Sequence, residues 1–489
     1  MKKLLSLLLM LALLLSLGSA YAENPAAAPK YVFMFIGDGQ GSPQITAAQY
    51  YLGTVQNPDA TIPTPAQLSF TNFSSLGLMT TYDATSFCPD SASTATSMAS
   101  GEKTLSGVLN YNVDKTSSFK LITEYAKEAG KKVGVITTVS LDHATPAAYY
   151  AKAPSRSQYY DIAVQGLSGK TLDFLGGGAF LQPKGKENDK QDLMDIAAAN
   201  GWTVIRKADE IRAITKDSGR VLAMVEDVDG SQAMQYEIDR RKKAADGQDS
   251  LSLAEIVKTG IADLDNGNGF FLMTEGGKID WTCHANDAVT SIYDTLAFSD
   301  AVQVAIDFAA QHPDETLIIV TGDHETGGMT IGFAATAYDT HFNYLQNAKV
   351  SYQEFDKVIA DMRANKVSFE DALKTIESYY GLTTTTDQPL TITETELSAL
   401  KTAFELSMIE KADRKLGDAD ALAYGGYEPL SVTITHIFNN KAGIAYTSYA
   451  HTGLQIPVYA AGVNASLFSG QYDNTQIFFK TMEAMGLKK

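Results

Sequence analysis

Short apolar runs alternate along this chain with longer stretches whose apolar positions recur at helical spacing. Lys30–Ile36 is almost wholly apolar, as a strand buried on both faces of a parallel sheet requires. Runs of the same kind predict strands at Leu76–Thr81, Lys132–Thr138, Gly269–Thr274, Thr316–Val320 and Ile456–Ala461. Helices are expected from Ser42 to Tyr50 and over Ala92–Ala99, Phe119–Gly130, Leu251–Asp263, Ala285–Gln311 and Thr475–Leu487, with another opening at Ser155-Arg156. Two further βα-like units cover residues 172–226, and 54–75, with Pro58, Pro63 and Pro65, reads as loop. Strands alternating with helices predict an α/β fold with a doubly wound, mostly parallel central sheet flanked by helices. From about Tyr338 to Tyr446 the pattern changes to charged helical stretches, Val350–Tyr380 and Thr393–Leu416, bridged by threonines at 383–386. This segment reads as an insertion packed over the active-site edge of the sheet rather than as an independent domain. No internal repeat is present.

The first residues stand apart. Lys2 and Lys3, the apolar run Leu4–Leu17 and Ala20-Tyr-Ala22 have the form of a Sec signal peptide cleaved after Ala22. The run is shorter than the ~20 residues of a membrane helix, and no lipid-bearing Cys or twin-Arg pair accompanies it. The expectation is a periplasmic or secreted protein, residues 23–489 forming one α/β domain, with no membrane association after cleavage. The net charge of −18 argues against nucleic acid as a dedicated partner and suits local binding of divalent cations. The chain has two cysteines, Cys88 and Cys283, read as buried free thiols rather than a disulfide.

Polar clusters follow the predicted strands, where α/β proteins place their ligands. Gly37-Asp38-Gly39 ends the first strand; its glycine spacing does not fit a dinucleotide loop, and Asp38 would repel a pyrophosphate. Asp90-Ser91 opens a run of small residues to Gly101, so that Ser91 sits near a helix N-cap, beside free N–H groups and the positive end of the dipole. Asp280 and His284 share one side of a helical turn, while Asp323 and His324 are adjacent at a strand end. His143 and His451 also lie in polar turns. Imidazoles with carboxylates suit zinc, and oxygen donors suit magnesium.

In order, Gly37-Asp-Gly, Asp90-Ser-Ala, Ala144-Thr-Pro with Arg156, Glu275-Gly through His284, Gly322-Asp-His-Glu and His451-Thr-Gly resemble the motifs of alkaline phosphatases, the metal-dependent phosphomonoesterases. The resemblance spans most of the chain after the leader. It implies hydrolysis of small-molecule phosphate monoesters through a phosphoserine at Ser91, and a homodimer. It further implies one Zn2+ on Asp280, His284 and His451, a second Zn2+ on Asp323, His324 and Asp38, and one Mg2+ on Asp38, Thr145 and Glu275. Arg156 would hold the phosphate oxygens. His143 and Trp281 stand where some members have Asp and Lys, and are expected beside the metals, as is Asp90.

Three other readings are weaker. A phosphodiesterase of the same superfamily would share the zinc ligands but lack Thr145, Glu275 and Arg156. A sulfatase needs a Cys or Ser two residues before Pro and an Arg two after; around Pro89 those places hold Phe87 and Ser91. A non-catalytic metal- or phosphate-binding protein would have no use for Ser91.

Overall fold

The apolar run at 31–37 is buried throughout, and its side chains alternate between two clusters. Tyr31, Phe33 and Phe35 enter one and Val32, Met34 and Ile36 the other. With the period-2 geometry of a strand, this means both faces of the sheet are covered. The computed structural model describes residues 28–489. Its main sheet is built from β1 (Tyr31–Gly37), β2 (Ser75–Thr80), β3 (Lys132–Thr137), β4 (Phe174–Gly177), β5 (Trp202–Ile205), β6 (Arg220–Met224), β7 (Phe270–Glu275), β8 (Thr316–Gly322), β9 (Ile456–Gly462) and β10 (Gly470–Asp473). Across the sheet the order is β10-β2-β9-β8-β1-β7-β3-β4-β6-β5. β9 is antiparallel to both neighbours, β2 and β8, and every other pairing in the sheet is parallel.

The orientation of β9 matters for the site. It enters from the edge at which β1, β3, β7 and β8 leave, so the residues just ahead of it reach that edge. There His451–Thr452 pairs antiparallel with Glu325–Thr326, just beyond β8.

Among the helices, α1 (Ser42–Gln56) follows β1, and α2 (Ser91–Ser100) carries the Asp90-Ser91 motif at its start. The short α3 (Lys278–His284) and long α4 (Ala288–Gln311) follow β7. The expected helix over Ala285–Gln311 starts later because Asn286 has φ +53° and Asp287 caps α4 by accepting from Thr290 N at 3.0 Å. Arg156 lies ahead of its helix, which begins at Tyr159, and not within it.

Residues 338–446 hold α5 (Tyr352–Ala364), α6 (Phe369–Tyr380), α7 (Glu394–Ser407) and α8 (Pro429–Ala442), with shorter turns between them. α5 and α6 are separate helices: Lys366 takes φ +52°, and Ser368 caps α6 by accepting from Asp371 N. Phe355, Ile376, Leu400 and Leu430 pack in the same apolar cluster as Phe33 and Phe35.

The cysteine reading needs one correction. Both thiols are free, and Cys283 is buried, but Cys88 is exposed. It lies in the loop before α2, where the neighbouring Phe87 is also exposed. The leader at 1–22 lies outside the described residues; among those described, no helix is long and apolar enough to cross a membrane.

Candidate active site

α2 starts where it does because Asp90 is extended and its carboxylate accepts from Ser93 N at 3.0 Å. That leaves Ser91 as the first helical residue, with unpaired backbone donors around it. Its Oγ lies 3.2 Å from His324 Nε2 and 3.4 Å from Asp38 Oδ1. The small buried residues Ala92, Ala95 and Ala99 let the helix pack against the sheet, and Gly101, at φ +76°, ends it. Asp83 ties down the preceding loop: it accepts from Ser93 Oγ at 2.7 Å and from the backbone of Thr85 and Ser86.

Asp38 and Asp323 leave adjacent strands, β1 and β8. Gly39 N donates to Asp323 Oδ1 at 3.0 Å. Only glycine suits position 39: its φ is +71°, and a Cβ would meet Asp280 Cα at 2.7 Å. Thr94 Oγ1, one turn along α2 from Ser91, donates to Asp323 Oδ2 at 3.0 Å. His324 Nε2 stands 3.2 Å from Asp323 Oδ2 and 3.4 Å from Asp38 Oδ1.

On α3, Asp280 Oδ2 lies 3.3 Å from His284 Nε2, and Asp280 Oδ1 lies 3.5 Å from His451 Nε2. The two imidazole Nε2 atoms are 3.1 Å apart. Each ring's other nitrogen faces a carbonyl: His284 Nδ1 is 2.6 Å from Tyr449 O, and His451 Nδ1 is 2.5 Å from Pro89 O. A carbonyl only accepts, so each ring carries a proton on Nδ1, and each Nε2 faces Asp280. Thr326 Oγ1 donates to Asp280 Oδ1.

At the end of β7, Glu275 Oε2 accepts from Thr137 Oγ1, while its Oε1 is buried without a hydrogen-bond partner. Thr145 Oγ1 donates to Asp38 Oδ2 at 3.3 Å. His143 packs edge-on against Trp281, with ring centroids 5.7 Å apart. Arg156 lies between Asp90, whose Oδ2 is 3.0 Å from Nη1, and His143, whose Nε2 is 3.2 Å from Nη2.

Ligand atoms gather in three overlapping groups, each within 4.8 Å: Asp38, Asp323 and His324; Asp280, His324 and His451; Asp38, His143 and Glu275. The first is the set expected from the sequence. The second has His324 where His284 was expected, although His284 remains in contact with Asp280 and His451. The third brings in His143, which had been placed only beside the metals.

The electrostatics suit cations. Burial, then repulsion from Asp323, Asp280 and Glu275, pushes Asp38 well above the usual carboxylate range. Burial likewise raises Glu275 to about 8 and Asp323 to about 7. His324 is driven well below its ordinary value by burial, so its ring is neutral and can donate a lone pair. Burial opposes a charge on His284, but Asp280 and the Tyr449 carbonyl together outweigh it and hold the imidazole up to about 9. Crowded buried carboxylates, an orphaned Glu275 oxygen and the neutral His324 imidazole form a donor set that divalent cations would complete.

All thirteen residues singled out in the sequence converge on this edge. The reading missed Asp83, which ties down the loop before α2, Thr94, Thr137 and Thr326, which brace the carboxylates, and Ser231, Tyr352 and Tyr427, which line the cavity above Ser91. Isolated threonines and tyrosines carry no spacing signal that would have marked them.

A family model described as alkaline phosphatase matches residues 29–487. Alkaline phosphatase 3 of Bacillus subtilis is 31% identical over 470 residues, covering 93% of this chain and 89% of its own length. The repressible alkaline phosphatase of Saccharomyces cerevisiae is 26% identical over 512 residues, 96% of this chain and 84% of its own. Among solved structures, the cold-active alkaline phosphatase from Shewanella sp. has a TM-score of 0.74 at 27% identity, covering 93% of this chain and 99% of that one. Thermus thermophilus alkaline phosphatase, at 24% identity, shares the fold with a TM-score of 0.76 over 95% of this chain and 93% of its own.

Proposed function

The chain belongs to the alkaline phosphatase family of phosphoric monoester hydrolases, and we propose that it hydrolyses its substrates through a phosphoserine at Ser91. In the first step Ser91 Oγ bonds to phosphorus as the bond to the leaving oxygen breaks, releasing an alcohol. In the second, water attacks phosphorus, the Oγ–P bond breaks, and inorganic phosphate departs. The observation that carries this reading is the placement of Ser91 Oγ at a helix start, 3.2 Å from His324 Nε2 and 3.4 Å from Asp38 Oδ1.

Asp280, His284 and His451 would hold one zinc ion; Asp38, Asp323 and His324 would hold a second. Asp38, Thr145 and Glu275 would hold magnesium, with His143 beside it. When bound, such ions supply Lewis acidity, which lowers the pKa of a ligated hydroxyl and offsets charge on the phosphate and leaving oxygens. The chain's own contribution is placement. Arg156 offers a planar fork to two non-bridging oxygens, and Asp90 aims that fork. Thr94, Thr137 and Thr326 fix the orientation of the carboxylates. Trp281 holds the His143 ring in place, and the pair would tune magnesium affinity and phosphate release.

Thr145, Glu275 and Arg156 at one edge favour monoesters over the diesters of a related phosphodiesterase. Export after cleavage at Ala22 and assembly as a homodimer belong to the same reading. They rest on the leader sequence and on the family resemblance.

Ser91→Ala tests the reading. It should still bind zinc and phosphate and lose most turnover; a near-parental rate would remove Ser91 from this role. Exhaustive chelation should abolish monoester hydrolysis, and zinc with magnesium should restore it. Full activity in a zinc-free preparation would contradict the metal assignment.

A further inference from the structure

The cavity over Ser91 and Arg156 measures about 330 Å³, and part of its wall is aromatic: Trp281, Tyr352 and Tyr427. Trp281 comes from α3, whereas Tyr352 and Tyr427 come from residues 338–446, far from every motif of the site. The rings are braced. Tyr352 OH is 3.0 Å from Tyr236 OH, and its backbone N donates to Asp287 at 2.9 Å. Tyr352 packs edge-on against Tyr427 with centroids 6.0 Å apart, and Tyr427 in turn stacks on Tyr449 at 6.3 Å. Beneath them the buried Lys278 ammonium sits 3.6 Å from the Tyr236 ring and 4.9 Å from the Trp281 ring, anchored by Asp229.

This wall stands on one side of the site. Trp281 adjoins Asp280 in the chain, and Tyr427 is linked through Tyr449 to His284. Both connections lead to the Asp280–His284 pair, not to the Asp323–His324 pair beside Ser91. An in-line displacement sends the leaving oxygen away from Ser91 Oγ. The leaving group therefore projects toward the aromatic side. A flat ring on the leaving group finds three aromatic faces or edges along this part of the wall.

We propose that Trp281, Tyr352 and Tyr427 form a leaving-group subsite that selects phosphate monoesters whose alcohol carries a planar aromatic group, a nucleobase or an aryl ring. This inference rests on the functional reading above. A fair test needs substrate pairs with the same kind of departing oxygen. AMP and ribose 5-phosphate both release a primary alcohol and differ in the base; benzyl and cyclohexylmethyl phosphates differ in ring planarity.

The purified protein with zinc and magnesium should show a higher kcat/KM for the aromatic member of at least one pair. Preference within the first pair names a nucleobase, and within the second a small aryl group. Tyr427→Ala should lower that preference by about two- to tenfold, the worth of one aromatic pairing, while Tyr427→Phe should keep it. Tyr352→Ala should act in the same direction. Equal rates within both pairs, or an unchanged preference in both alanine variants, would overturn the subsite and leave the phosphatase reading standing. No turnover of any of the four esters would overturn both.

Discussion

The Arg156 guanidinium rests 3.0 Å from the Asp90 carboxylate, one residue ahead of the proposed nucleophile. The pair shapes both partners: burial opposes ionisation of Asp90, but Arg156 and the backbone N–H groups of Gly107 and Ser93 together outweigh it and hold the carboxyl below its usual range. It also means that the side chain proposed to hold phosphate is aimed by the cap of the helix that carries Ser91.

Arg156 should therefore matter for phosphate and not for the metals. Arg156→Ala is expected to weaken inhibition by inorganic phosphate and to lower kcat/KM. A charge-assisted hydrogen bond contributes about 1.5–3 kcal/mol, or roughly tenfold to a hundredfold. Arg156→Lys keeps the charge without the fork and should recover only part. Steady-state kinetics with phosphate as inhibitor, alongside zinc analysis, checks this; loss of zinc in the alanine variant would make Arg156 structural.

A second tether runs from Thr94 Oγ1 to Asp323 Oδ2 over 3.0 Å, between two fully buried side chains. Thr94→Val keeps the shape and removes the donor, leaving a buried carboxylate oxygen one partner short. The expected cost is about 1.5–3 kcal/mol, read as a lower thermal midpoint, together with weaker retention of zinc during dialysis. Parental values for both would show that the hydrogen bond is dispensable.

His143 offers a nitrogen in the same cluster as Asp38 and Glu275. His143→Asp adds an anionic oxygen there, which a hard cation favours. The magnesium titration of activity should shift to lower concentration. An unchanged titration would place His143 outside that shell.

Much of this arrangement was legible in the sequence because it obeys strand and cap rules. Tyr31–Gly37 announces itself as a buried strand by composition, and Asp38, Glu275 and Asp323 sit where such strands end. Asp280 and His284 declare their common face by spacing, and Asp90-Ser91 declares a helix start. What was not legible depends on tertiary pairing. Nothing in Ile456–Gly462 says that β9 runs antiparallel, yet that direction is what delivers His451. The exposure of Cys88 is set by the loop that Asp83 ties down. Tyr352 and Tyr427 reach the cavity only because α5 and the turn before α8 pack on the same apolar cluster as β1.

The proposed metal site is not the only place with buried acid. On α5, burial pushes the Asp356 carboxyl up to about 7, against the opposing hydrogen bond from Ser431 Oγ. A carboxyl raised in the folded state stabilises below its unfolded pKa, and that stability is lost as pH rises through the folded value. Between about pH 5 and about pH 8 the parent should therefore lose more thermal stability than Asp356→Asn, which cannot ionise. Equal losses in the two proteins, measured by thermal denaturation across that range, would show that Asp356 bears no such charge.

The central claim is a covalent phosphate on Ser91. Enzyme mixed with a monoester and quenched in acid within its first turnovers should yield a Ser91-containing peptide heavier by one phosphoryl group. The same treatment of Ser91→Ala should yield no phosphorylated peptide. Steady turnover by the parent with no phosphate on Ser91 at any quench time, or phosphate on a different residue, would contradict the account.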